Sequence, residues 1–74
     1  VQHLQFELDR DYIELNNLLK LKGVVDSGGA GKALVADGMV TVDGQLELRK
    51  TAKIRAGQCV GVGGDVIIQV IVPA

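Results

Sequence analysis

The sequence predicts an α+β fold, and three observations carry that prediction. Leu4, Phe6 and Leu8 alternate with polar residues, which reads as a short half-buried strand. Two stretches of helical spacing follow between Tyr12 and Gly38, and from Val40 onward apolar residues alternate again between glycine-containing turns. With 74 residues, the chain is expected to form one domain, residues 1–74. A domain of this size buries only about 60% of the surface its unfolded chain exposes, which leaves no room for a deep catalytic cleft. Val, Leu, Ile and Ala are spread along the whole length, so a disordered tail is excluded.

Each element has its own signals. Asp11 is placed to cap the first helix, with Glu14 three residues later in the capping-box position. Tyr12, Leu15, Leu18 and Leu19 then share one face, with Asn16, Asn17 and Lys20 on the other, and Gly23 closes the helix. Lys22 points nearly opposite to Lys20, so the two lysines are not expected to share one ligand. Ser27 suits the N-cap of a second helix ending at Gly38. Ala30, Ala33 and Leu34 are its expected buried stripe, and Gly28, Lys32 and Ala36 lie opposite. Gly28, Gly29 and Gly31 in its first turn each cost on the order of 1 kcal/mol against alanine, less near the frayed end. A further requirement is expected to keep them there.

The remainder reads as strands. Val40 and Val42 run out to an Asp43-Gly44 turn, and Leu46 and Leu48 return. A two-residue loop would set Val42 opposite Gln45. One more residue pairs Val42 with Leu46 and Val40 with Leu48, so a three-residue turn or bulge is expected. Arg49 to Arg55 forms a basic connection, Ala56-Gly57 a turn, and Cys59 to Val62 a strand. Gly63-Gly64 turns the chain into Val66 to Val72, which is apolar enough to be central and could pair with the N-terminal strand before Pro73 ends it.

Composition excludes several functions. No apolar run approaches the ~20 residues that span a membrane, and no signal-peptide pattern opens the chain, so a soluble, cytoplasmic protein without membrane contact is expected. Cys59 is single and reads as a reduced core residue, while His3 has no partner at useful spacing. No metal site follows, no cofactor is implied, and no paired carboxylates, Ser-His-Asp set or Cys-His set is available for catalysis. Gly29-Ala30-Gly31-Lys32 is not a phosphate-binding P-loop. That loop needs a glycine and a hydroxyl where this chain has Asp26 and Ala33. Gly63-Gly64 is followed by a strong strand and so is not the terminal Gly-Gly of ubiquitin-like carriers. The protein is expected to be neither an enzyme nor a binder of a small-molecule substrate.

Charge is distributed unevenly. The chain's net charge is −1, but four acids face only Arg10 before Leu19, whereas seven bases face four acids from Lys20 to Arg55. A basic middle between acidic ends is the pattern of a one-sided anion-binding surface, although charge alone fits a solvated surface with accidental asymmetry better. Within it, Ser27-Gly28-Gly29 opens a helix, Lys32 follows one turn in, and the basic connection comes later. A helix N-terminus offers unpaired N–H groups and partial positive charge, so it attracts phosphate, and glycines let a bulky anion approach.

The order of these features resembles a known family. The match runs through Leu15-Asn16-Asn17-Leu18-Leu19-Lys20, Gly23-Val24-Val25 and Ser27-Gly28-Gly29-Ala30-Gly31-Lys32-Ala33. It continues through Asp37-Gly38-Met39-Val40-Thr41-Val42-Asp43-Gly44 and closes on Lys53-Ile54-Arg55-Ala56-Gly57. Residues 12–64 thus resemble the alpha-L RNA-binding motif, named for small-subunit ribosomal protein S-four, and are similar to stand-alone bacterial proteins of the YbcJ type. The resemblance implies two helices packed on a small, mostly antiparallel sheet, with RNA held along the second helix and neighbouring basic loops. Gly28, Glu14 and Asp43 depart from the family, which often has a basic residue at the first two places and Asn-Gly in the turn, so Glu14 and Asp43 are not counted as contacts.

The expected partner is therefore structured RNA, ribosomal RNA included, bound by a monomer. Lys32, Arg49, Lys50, Lys53 and Arg55 are assigned to phosphate pairing, Lys20 to the margin, and Ser27, Gly28 and Gly29 to backbone N–H donation. Phe6 and Tyr12, the two aromatic residues, are both read as structural, so no base-stacking platform is expected. The alternative is a protein-interaction adaptor using the exposed part of the sheet, with Val35 and Leu21 as apolar anchors.

Overall fold

Alternating apolar residues from the two ends of the chain come together as neighbouring strands. The protein is described by a computed structural model covering residues 1–73; Ala74, the last residue of the expected domain, lies outside the described residues. The elements in order are β1 (Gln2–Glu7), β2 (Ile13–Glu14), α1 (Leu15–Leu21), α2 (Gly28–Ala36), β3 (Val40–Val42), β4 (Gln45–Leu46), β5 (Lys53–Ile54), β6 (Cys59–Val62) and β7 (Val66–Ile71). Five strands form one sheet in the order β1-β7-β6-β3-β4, and β2 pairs separately with β5. Only β1 and β7 run parallel; the other pairs are antiparallel.

Strand periodicity sets the core. Leu4 pairs with Ile68, Ile68 with Val60, and Val60 with Val42, so one apolar row crosses four strands on a single face. Leu15, Leu18 and Leu19 of α1 and Val35 of α2 are fully buried in the same cluster. The two expected helices thus pack on a mostly antiparallel sheet. No helix is long and apolar enough to cross a membrane among the described residues.

Several local expectations are corrected. Helix α1 starts at Leu15, its N-cap is Glu14 with extended backbone, and no side chain caps it. A tertiary partner takes the place of Asp11: the N–H groups of Leu15 and Asn16 donate to the carbonyls of Ala52 and Lys50, at 2.9 and 3.1 Å. Tyr12 consequently lies ahead of the helix and is 38% exposed, not part of the buried face. Asn16, expected to face solvent, is only 6% exposed.

In α2, Ser27 is the N-cap as expected, its Oγ accepting from the Ala30 N–H at 3.2 Å. The buried stripe is turned by one residue, however. Gly31 and Val35 are buried and Leu34 half-buried, while Ala30 and Ala33 are exposed. The turn brings Gly31 against α1, where a Cβ would meet the Asn16 carbonyl oxygen at 3.2 Å. Val35 is therefore lost as an apolar anchor for a protein partner.

The β3–β4 hairpin uses a strict two-residue loop, pairing Val42 with Gln45 and Thr41 with Leu46. Asp43 and Gly44 both have positive φ, 52° and 82°, as a mirror-image turn requires. Asp43 explains why turn geometry wins over face segregation. Its carboxylate accepts from the Cys59 N–H at 2.9 Å and its own N–H donates to the Cys59 carbonyl at 2.7 Å, locking the loop onto β6. Gln45, Leu46 and Leu48 are exposed at the sheet edge, where mixed faces cost little.

Candidate nucleic-acid interface

The basic connection is held in place by its few apolar members. Ala52 and Ile54 are buried in the core, and Glu14 and Ile13 pair across strands with Lys53 and Ile54. This leaves Arg49, Lys50, Lys53 and Arg55 exposed on a backbone fixed from both sides. Thr51 also lies exposed here, and with Arg49, Ala52 and Lys53 it lines a shallow cleft. Sequence reasoning missed its hydroxyl; its place inside the run Arg49 to Lys53 was the available signal.

Asn16 joins the two halves of the region. Its N–H donates to the Lys50 carbonyl, and its backbone supports the Gly31 turn of α2. The basic connection and the first turn of α2 therefore lie side by side around one residue. Lys32 is exposed on the same helical face as Gly28, one turn along. Lys20, exposed in the last turn of α1, stands one turn beyond Asn16.

The glycines separate by cause. Gly31 is required by the close approach of the helices. At Gly28 a Cβ would meet nothing within 4 Å, and at Gly29 only the Ser27 Oγ at 3.9 Å. Neither has positive φ. Packing and backbone conformation thus leave both unexplained. Of the first four N–H groups of α2, Ala30 donates to the Ser27 side chain and Gly31 to the Ser27 carbonyl. Those of Gly28 and Gly29 have no acceptor among the described residues.

The cations are not equally available. Arg49 grips Glu47 through both carboxylate oxygens at 3.1 Å. The hydrogen bonds from Arg49 hold the Glu47 carboxyl below its ordinary range, and the guanidinium is raised in return by the same contact. Arg55 donates from its guanidinium to the Asp11 carbonyl at 3.3 Å. Lys53 places its ammonium over the Tyr12 ring, 4.9 Å from the centroid. Lys20, Lys32, Lys50, Lys53 and Arg55 form no ion pair among the described residues.

Two helices on a mostly antiparallel sheet place the chain in the alpha-L class of α+β folds. The chain belongs to the S4 domain family, whose profile matches residues 6–71. It is 49% identical over 53 residues to YbcJ of Escherichia coli (strain K12), covering 72% of this chain and 76% of that one; the name of that protein gives RNA binding as its expected activity. The solution structure of Escherichia coli YbcJ, described as revealing an alpha-L motif involved in RNA binding, superposes with a TM-score of 0.68 at 40% identity, covering 93% of this chain and 85% of that one. Ribosomal protein S4e from Thermoplasma acidophilum shares the fold, with a TM-score of 0.57 at 20% identity over 76% of this chain and 30% of that one.

Proposed function

We propose that this protein binds structured RNA as a single, non-catalytic module, gripping phosphates between the first turn of α2 and the basic connection. One observation carries the reading. Asn16 touches both elements, its N–H bonded to the Lys50 carbonyl and its backbone close against Gly31, so a helix tip with two free N–H groups borders a run of exposed cations. The relatives in the S4 domain family support the same ligand class. Lys32, Lys50 and Lys53 would pair with phosphates directly, Arg49 and Arg55 in competition with their present partners, and Lys20 at the margin. Gly28 and Gly29 would donate N–H groups, while Ser27 shapes the turn through its cap.

Charge reversal at Lys32 and Lys53 together tests the proposal. Retention of an RNA hairpin should collapse, while circular dichroism stays unchanged because both side chains are exposed. Undiminished RNA retention by the double variant would sink the phosphate-gripping mechanism. A protein-adaptor reading keeps Leu21 as an exposed apolar residue but has lost Val35 to the core.

A further inference from the structure

The exposure of Tyr12 opens a possibility that phosphate contacts alone do not cover. A cleft lies beside the cationic surface, lined by Arg10, Asp11, Tyr12, Glu14 and Asn17. Its aromatic wall is 38% exposed, and Lys53 sits over that ring while also lining the neighbouring cleft of the basic connection. The geometry points to a nucleobase site: Tyr12 stacks one unpaired base of a bound RNA while Lys53 pairs with the phosphate beside it. This rests on the RNA-binding reading and deepens it, naming the RNA as one that carries an unpaired nucleotide next to a stem.

The chemistry of the cleft favours a base over a phosphate. Asp11 and Glu14 would repel an anion, yet both accept hydrogen bonds from the N–H groups on base edges. Asn17 is exposed and offers a donor and an acceptor to the same edge. An aromatic ring flanked by a cation suits base stacking, because every base has a π-face and the ammonium reaches toward the backbone. Tyr12 is free to serve, since it belongs neither to the buried core nor to α1. Its exposure also makes substitution there compatible with folding.

The chain contains one tyrosine and no tryptophan, so its intrinsic fluorescence reports on Tyr12 alone. Two RNA hairpins of equal length serve as probes, one fully paired and one with a single-nucleotide bulge. The bulged hairpin should quench the tyrosine emission and bind about tenfold tighter, the effect of one stacked base. Tyr12→Leu should bring the two hairpins to equal affinity, whereas Tyr12→Phe should keep the preference. Equal affinity for both hairpins, with unquenched emission, overturns the stacking site and leaves the phosphate reading intact. Failure of the protein to bind either hairpin overturns both.

Discussion

At the level of single residues, the ion pair between Glu47 and Arg49 restrains the interface. Arg49 was legible in the sequence as a cation, but its engagement was not, because Glu47 two positions earlier gave no sign that the segment after β4 would turn its carboxylate back. Glu47→Gln should release the guanidinium and remove one negative charge, raising RNA affinity about two- to fivefold, the worth of one exposed charge pair. Filter binding of a hairpin would read this directly, and unchanged affinity would mean that Arg49 never meets the RNA. Acid should mimic the substitution. The Glu47 carboxyl is held below its ordinary range, so its pairing is present above that range and is lost only as pH falls through the lowered value. Tyr12 shows the opposite failure of reading: helical spacing with Leu15 suggested a buried ring, and two residues of β-pairing carried it out to solvent.

Among the elements, both helices and the strands at either end of the chain could be read from periodicity, since alternation and leucine spacing survive into the core. What could not be read was set by partners distant in sequence. The carbonyls of Lys50 and Ala52 start α1 in place of Asp11, and Cys59 fixes the Asp43-Gly44 loop length. The glycines of α2 show the same division, and substitution can separate their causes. Gly31→Ala places a methyl against the backbone of Asn16, which cannot swing aside, and should destabilise the protein by up to about 2 kcal/mol after its gain in helix propensity. Gly28→Ala enters open space at negative φ, and should stabilise by a few tenths to about 1 kcal/mol while weakening RNA binding. Urea denaturation of both variants, beside their RNA affinities, distinguishes a helix–helix contact from a ligand contact. A Gly28→Ala variant that binds RNA unchanged would remove that glycine from the interface.

For the whole molecule, a net charge of −1 hides an uneven distribution along the chain, visible from sequence because the bases cluster between Lys20 and Arg55. Folding brings the two parts of that cluster together at Asn16. Binding should therefore release counterions as a local patch does, whatever the overall charge. With five phosphate pairs, log affinity should fall against log salt with a slope of roughly −3.5 to −4.5, depending on whether the RNA is single- or double-stranded. A flat response in a salt titration would count against the entire patch. The sheet, meanwhile, has a consequence for biosynthesis. Because β7 is the one strand among the described residues that pairs with β1, β1 must wait for its partner until the last strand of this sheet has left the ribosomal tunnel. During that interval β1 has no strand to pair with, so its backbone hydrogen-bonding groups stay unpaired until the sheet is complete.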